Sequence, residues 1–358
     1  MVLGSFEKNL TYPKSLYYSA AGYGFAYVPK TLWLETVAHW DDASNQWLAS
    51  LYGLSHERVL PEKITDEEKA WQEYILRIRR YLQQGSPVQI VKGWEAKIDR
   101  GRVINVGTGM RTYWWEGAAW TSSHYFTVVG LDESEGAIYI NDGALSWFGT
   151  GKYFKMELEA LKKATQPLPP HLKYVTVTFK KEGGIRKDDN EIEGLVRERV
   201  TKKLKGDPSV FDTVEMWRAH YRNEKFPGFQ HGLKALKAFK NDLEPAEFKK
   251  ILKGHMERQR KPLVVISWVD ITVNHFSSLT AVSAEYLEEI GRMKEWEWLY
   301  KYRMLYEKLR VSTAKLRSIF RTNENLDQAV ETSTPILKEM RQTIDEMINH
   351  IELFSRTT

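Results

Sequence analysis

The chain has 358 residues, a formal net charge of +5 and a hydrophobic content of 42%, which are values of a globular protein large enough for two domains. It has no cysteine, so disulfides, thiolate zinc sites and thiol nucleophiles are excluded. Its basic runs alternate with acidic and apolar residues and so predict solvated helix faces, not a nucleic-acid surface.

No apolar stretch approaches the roughly 20 residues of a membrane span, and the N-terminus lacks a signal-peptide pattern. We therefore expect a cytoplasmic protein without nucleic-acid or membrane partners. The lack of cysteine and the many Lys, Arg and Glu residues also fit a hot-growing source.

The first clear helix is predicted over residues 64–85, with Thr65 as its N-cap and Gly85 just past its end. Apolar residues recur at helical spacing along it. The next stretch, SPVQIVKGW, is a short apolar run after a glycine-proline break, which predicts a buried strand.

Residues 122–143, SSHYFTVVGLDESEGAIYINDG, predict a β-hairpin. Side chains alternate on both sides of the turn DESEG, whose Gly136 can take a positive φ. A helix from about Lys155 and a strand over residues 172–181 follow. Helices followed by antiparallel strands predict an α+β domain over residues 1–183.

The glycine pair and charge cluster in KKEGGIRKDDNE predict a linker. Residues 184–358 are helical in composition and spacing, so the second domain is predicted to be an all-α bundle. The stretch PLVVISWVDITVNHFSSLTAVSAEYLEEIGRM is apolar on more than one face, which predicts the buried helix of that bundle. A homo-oligomer formed through this domain is one expectation.

His124 and Asp142 stand near the two ends of the predicted hairpin. Antiparallel pairing brings such ends together. A carboxylate that accepts a hydrogen bond from one ring nitrogen fixes the histidine tautomer and raises the basicity of the other nitrogen. The alternative is a plain hairpin with a histidine at its edge. The spacing alone supplies no nucleophile.

Aromatic residues are abundant, and they either fill a core or line a ligand cleft. The candidates for a cleft are Tyr23, Phe25, Trp114, Trp115, Trp120 and Trp147. His39 and Asp42 lie one helical turn apart, which suits a metal ion less well than a solvated helix end. His231 and His275 lie on apolar helical stretches and are predicted to be core or interface histidines. No cofactor or metal is expected.

The order of a helix, YLQQGSPVQIV, HYFTVVGLDESEGAIYIND and another helix resembles the papain-like fold of the bacteriocin-leader (double-glycine) peptidases. Those families carry L-x-x-G-x-P-V before a strand, a histidine opening H-[FY]-x-V-V-x-G-[FLY]-[DN], and a carboxylate or amide closing [IV]-[YF]-[IV]-x-[DN]. The second motif has its glycine one place early in this chain. The matching residues are Leu82, Gly85, Pro87, Val88, His124, Val128, Val129, Gly130, Asp132, Ile138, Tyr139, Ile140 and Asp142.

The chain is also similar to the butirosin biosynthesis protein H family, which has a papain-like domain followed by a helical domain. The string G-L-G-F-x-Y of that family resembles residues 22–27 here, and FPGFQHGLKAL and NHFSSLTAVSAEYLEEIG look similar in place and pattern. The resemblance implies cysteine-dependent acyl transfer or amide chemistry, with His124 as base and Asp142 as its orienting partner.

The decisive departure from both families is the missing cysteine. Ser5, Ser15 and Ser19 are upstream substitutes, with Ser19 the chosen candidate, but none lies in a G-x-S-x-G turn. A serine also needs far more activation than a thiolate. Three hypotheses remain: a pseudoenzyme that binds a peptide or small acyl ligand in the inherited cleft, a hydrolase or acyltransferase with a serine or partner-supplied nucleophile, and an assembly protein acting through its helical domain.

Overall fold

The chain has a mixed α+β fold, with a sheet-containing unit and a helical unit. The computed structural model describes residues 14, 17–18, 23–35, 42–59, 61, 64–99, 102–105, 111–112, 120–141, 154–166, 168, 173–181, 184–210, 228–258 and 260–357. Within these, only the backbone is described for residues 35, 42–45, 92–99, 102–105, 111–112, 120–125, 154 and 355–357. In this part of the chain, no helix is both long and apolar enough to cross a lipid bilayer.

The first compact unit comprises residues 1–11 and 49–186, and the second comprises residues 12–48 and 187–358. The strands in chain order are β1 Ala26–Val28, β2 Trp33–Glu35, β3 Leu54–Val59, β4 Val88–Asp99, β5 Arg102–Asn105, β6 Arg111–Thr112, β7 Trp120–Asp132, β8 Ala137–Asn141, β9 Phe154–Glu157, β10 Thr176–Lys181 and β11 Gln230–His231. The helices in chain order are α1 Asp42–Leu51, α2 Glu67–Gln83, α3 Leu158–Thr165, α4 Asp189–Lys205, α5 Gly232–Asp242, α6 Pro245–Glu257, α7 Pro262–Glu289, α8 Met293–Thr322 and α9 Leu326–Thr357.

The first unit is built on an antiparallel sheet with the strand order β3-β10-β4-β7-β8-β9, and β5 and β6 extend it beside β4. Helix α2 lies against one face of this sheet. The residues of α2 in that core are Trp71, Tyr74, Ile75, Ile78 and Tyr81, and the sheet contributes Val88, Ile90, Phe126, Val128, Ile138 and Ile140. A second, smaller cluster includes Val91 of β4 and Val177 of β10. Because successive side chains of a strand point to opposite faces, these two residues lie on the face of the sheet opposite α2.

Helix α2 begins one residue later than the sequence predicts. Asp66, not Thr65, is its N-cap, and the Asp66 carboxylate accepts a hydrogen bond from the Lys69 backbone N–H. Ser, Thr, Asn and Asp all serve as N-caps, so the pattern alone could not choose between the two neighbours. The predicted end is confirmed, because Gly85 follows the helix with a φ of 73° in the left-handed region that glycine tolerates.

The predicted helix from about Lys155 is wrong in its first residues. Residues 154–157 form β9, which pairs with β8 so that Phe154 lies opposite Ile140 and Glu157 opposite Ala137. Helix α3 starts only at Leu158. Long-range pairing with β8 therefore overrides the local helical preference of this stretch, as tertiary context commonly does.

The second unit contains a small antiparallel sheet with the order β11-β1-β2. Residues 12–48 belong to this unit, whereas the predicted division at residue 183 grouped them with the first domain. Strand β1 pairs with β11, with Ala26 opposite His231. The Tyr27 hydroxyl donates a hydrogen bond to the Asp242 carboxylate on α5 at 2.7 Å, which fixes β1 to the helical part of the unit.

Glycine permits a close backbone crossing beside this small sheet. Gly206 ends α4 with a φ of 79°, and a Cβ on it would lie 2.2 Å from the His231 carbonyl oxygen. A Cβ on Gly232 would lie 2.4 Å from the Gly206 backbone nitrogen. A side chain at either of these two positions would push the end of α4 away from the start of α5.

The long helices α7, α8 and α9 form most of the remaining core of the second unit. Helix α7 buries residues on several faces, as its composition predicts. Phe276 of α7 stacks between Phe25 of the N-terminal segment and Tyr306 of α8, with both pairs of ring centroids 5.3 Å apart. Stacked aromatic pairs at this distance stabilise a core beyond the area that they bury.

Candidate functional site

The predicted β-hairpin is present as β7 and β8. Val128 lies opposite Ile140, and Thr127 lies opposite Asn141. Gly136 closes the turn with a φ of 59°, the left-handed conformation that the sequence predicted. A β-bulge between Val128 and Gly130 shifts the register, and such bulges change the direction of a strand locally.

His124 lies on β7, where its backbone position is opposite Lys92 of β4. The His124 side chain and all of Asp142 lie outside the described residues, so the separation of imidazole and carboxylate stays a prediction. Asp142 directly follows Asn141, the last residue of β8. The candidate nucleophile Ser19 and the candidate cleft residues Trp114, Trp115 and Trp147 also lie outside the described residues, and for Trp120 only the backbone, the first residue of β7, is described.

Of the stretches that match the papain-like motifs, the first ends where β4 begins, and the second and third lie on β7 and β8. Strand β4 begins at Val88, directly after the glycine-proline break, and pairs with β7. Strand β7 pairs in turn with β8, which carries Ile138 to Ile140. The fold thus places β4, which precedes the hairpin by a longer stretch of sequence, beside β7 in the order β4-β7-β8.

Tyr23 and Phe25, predicted as cleft residues, lie in the second unit and are buried there. Their exposed fractions are 3% and 1%, so their rings offer little surface to a ligand. The Tyr23 ring stacks on Trp298 with the centroids 6.3 Å apart. Phe25 packs against Phe239 and Phe276. In this unit both residues fill a core.

A polar cluster that the sequence did not indicate lies in the second unit. The Tyr18 hydroxyl donates to the Glu193 carboxylate at 2.7 Å, and the Tyr17 hydroxyl donates to Glu295 at 3.0 Å. Arg292 forms ion pairs with both carboxylates. Burial, followed by the neighbouring carboxylates, raises the pKa of both tyrosines far above its ordinary value, so the phenols remain neutral donors.

The same cluster borders an open cleft of about 410 Å³. The lining residues are Asn190, Glu193, Gly194, Arg197, Ile290 and Arg292. Arg197 pairs with Glu295 at 2.9 Å. Two carboxylates therefore face two guanidinium groups and two phenols, and each carboxylate accepts from a guanidinium and from a phenol. Such a balanced set suits the attachment of residues 17–18 to α4 and α8 better than the binding of a charged ligand.

Three histidines of the helical unit, including His275 and His255, have a lowered pKa. Burial lowers the pKa of His275 to about 4, so the ring is neutral at pH 7. His255 Nε2 lies 2.7 Å from the Thr31 carbonyl oxygen, and burial also lowers its pKa. His39 lies outside the described residues. No group of three or more metal-ligating side chains occurs in the part of the chain that the structure describes.

No protein-family profile matches the chain, and no curated protein matches it at a significant level.

Proposed function

We propose that the protein is a cysteine-free, papain-like protein related to the bacteriocin-leader peptidases and the butirosin biosynthesis protein H family. In this proposal its sheet unit binds a peptide or small acyl ligand and does not cleave it. His124 and Asp142 form the polar part of the binding site.

One observation supports the proposal. The first motif ends at Val88, where β4 begins, and β4 pairs with β7, the strand that carries His124. The third motif lies on β8, the other strand of the β7–β8 hairpin. A histidine on the middle strand is where an imidazole can meet a carboxylate that follows the neighbouring strand. The pairing of β4 with β7 is the long-range part of this agreement, since β7 and β8 are the two strands of one hairpin.

Chemistry favours binding over turnover. The chain has no cysteine, and a serine hydroxyl needs a strongly activating neighbour before it attacks an acyl group. A histidine held by a carboxylate still presents a second ring nitrogen. That nitrogen can donate or accept one hydrogen bond at a ligand carbonyl or amide without any covalent step.

The test uses two probes with the full-length chain: a synthetic peptide ending in two glycines, and an acyl thioester of N-acetylcysteamine. Isothermal titration calorimetry measures binding, mass spectrometry measures cleavage, and a fluorophosphonate tests for a reactive serine. We expect saturable binding of at least one probe, with no product and no serine label. Turnover with labelling of Ser19 or another serine would instead establish an active hydrolase. Failure of both probes to bind would refute the proposal.

A matched pair of variants locates the site. His124→Ala should weaken binding about tenfold, the equivalent of one hydrogen bond of roughly 1–1.5 kcal/mol. His56→Ala, which removes a histidine from β3 of the same sheet, should leave the affinity unchanged. Equal effects of the two variants would place the ligand elsewhere.

A further inference from the structure

Helix α8 carries a line of exposed apolar side chains along one face. The exposed fractions are 52% for Met293, 40% for Tyr300, 44% for Met304 and 44% for Val311. At 100° per residue, all four point in nearly one direction. The side of α8 that packs into the unit carries a different set, which includes Tyr302. The exposed line is therefore a second apolar stripe on a helix that already has a buried one.

The spacing of this stripe is symmetric. Its members are seven, four and seven residues apart. When the helix is placed antiparallel to a second copy of itself, Met293 falls opposite Val311 and Tyr300 falls opposite Met304. Each of the four apolar residues of one copy then faces an apolar residue of the other copy. A twofold contact requires such self-complementarity, and four scattered exposed residues have no reason to show it.

One pair of charges beside the stripe fits the same arrangement. Residues on one flank of an antiparallel helix pair meet the same flank of the second helix. In this register Glu297 falls within one residue of the position opposite Lys308 of the second copy. Glu297 now pairs with Lys301, and Lys308 pairs with Glu346. Both pairs are exposed and contribute little, so exchanging them for contacts between copies costs little.

We propose that α8 is a self-association surface on which two copies of the chain pack antiparallel. The stripe from Met293 to Val311 is about 27 Å long at 1.5 Å per residue. A contact between two helices over this length lies at the small end of specific interfaces. The dimer is therefore expected to be weak and dependent on concentration. This surface is independent of the proposed ligand site in the sheet unit.

The first experiment measures the mass in solution by analytical ultracentrifugation across a concentration series. The wild type should shift from monomer to dimer, and Met304→Lys should raise the dissociation constant at least tenfold. Met256→Lys changes an exposed methionine, 48% exposed on α6, and should have no effect. Circular dichroism checks that all three proteins keep their helical content. A wild type that remains monomeric throughout, or equal effects of both variants, would overturn the proposal.

The second experiment tests the direction of packing by disulfide crosslinking. Because the chain has no cysteine of its own, any crosslink must form through the introduced cysteines. Met293→Cys and Val311→Cys are prepared separately and then mixed under mild oxidation. Antiparallel packing predicts a crosslinked dimer in the mixture and little in either variant alone. Strong crosslinking of Met293→Cys with itself indicates parallel packing and would refute the proposed register, as would the absence of any crosslink.

Discussion

Tyrosines aside, the buried polar side chains among the described residues of the first unit are serine and threonine hydroxyls, whereas the second unit also buries five side chains of arginine, lysine, aspartate and histidine. The buried serines and threonines of the first unit are Ser86, Thr127, Thr165, Thr176 and Thr178. The five buried side chains of the second unit are Arg199, Lys203, Asp242, His255 and Asp270. Among the residues that the structure describes, the core of the first unit therefore contains no charged side chain, whereas the core of the second unit does.

This difference has a physical consequence for stability. An apolar core such as that between α2 and the sheet is stabilised by burial and close packing, which do not depend on pH. A buried charge is tolerated only with a well-placed partner. The Asp242 carboxylate, for example, accepts hydrogen bonds from the Tyr27 hydroxyl and the Lys30 backbone N–H. Packing defects should therefore dominate in the first unit, and loss of a partner or a change in pH in the second.

The largest effect is expected from Phe126→Ala in the first unit. Phe126 is 2% exposed between α2 and the sheet, and its truncation should lower the free energy of unfolding by about 3–5 kcal/mol through lost burial and a cavity. Urea denaturation measures the loss, and hydrogen exchange of peptides from each unit locates it. The loss should be the same at pH 7 and pH 5.5. A marked pH dependence would contradict the contrast between the units.

A smaller effect is expected from Asp270→Ala in the second unit. The Asp270 carboxylate accepts hydrogen bonds from the Thr313 hydroxyl at 2.8 Å and from Arg317 at 2.6 Å. Its removal should cost about 2–3 kcal/mol, less than for a fully buried pair because Arg317 retains access to water. Asp270→Asn keeps an acceptor for Thr313 and should cost less in the same denaturation assay. Equal losses for the two variants would show that the hydrogen bond contributes nothing.

The smallest effect is a loss of stability of the second unit in mild acid. Burial lowers the pKa of His275 to about 4, and it also lowers the pKa of His255 and His350. Unfolded histidine titrates near pH 6.5, so below that pH the unfolded chain binds more protons than the folded chain. Stability is then lost as the pH falls from about 6.5 towards 4. By pH 5, His275 alone should account for about 1–2 kcal/mol.

The Glu67–Lys173 pair of the first unit should respond only at lower pH. The hydrogen bond from Lys173 lowers the pKa of Glu67, so the stability from this pair is present above the unfolded carboxyl pKa and is lost below about pH 4.5. Urea denaturation from pH 7 to pH 5, resolved to each unit by hydrogen exchange, checks the difference. His275→Gln should flatten the response of the second unit. If both units weaken equally between pH 6.5 and 5, the comparison fails.

Local features of the fold could be predicted where the sequence carries local signals. Alternating side chains and Gly136 specify the β7–β8 hairpin, and helical spacing with Gly85 specifies the end of α2. The same local reasoning predicted Thr65, not Asp66, as the N-cap of α2, and it predicted a helix where the structure has β9. In both cases the chain offers two acceptable local solutions, and only the surrounding structure selects one.

Long-range features could not be predicted in this way. Residues 12–48 join the second unit because β1 pairs with β11, a strand of only two residues with no visible pattern of its own. The cluster of Tyr17, Tyr18 and Glu193 combines separated stretches that share no motif. For the candidate site, the strand that carries His124 agrees with the expected hairpin, and the imidazole–carboxylate contact remains a prediction.

The crossing of Gly206 and Gly232 has a consequence for how this protein can vary. These two residues hold the chain before residue 207 directly against the chain after residue 231. The two ends of the intervening sequence are therefore held together at one point, and closing a longer or shorter segment there changes the entropy only slowly with length. Insertions and deletions between Val210 and β11 should be tolerated during evolution, provided that both glycines and the pairing of β11 with β1 are retained.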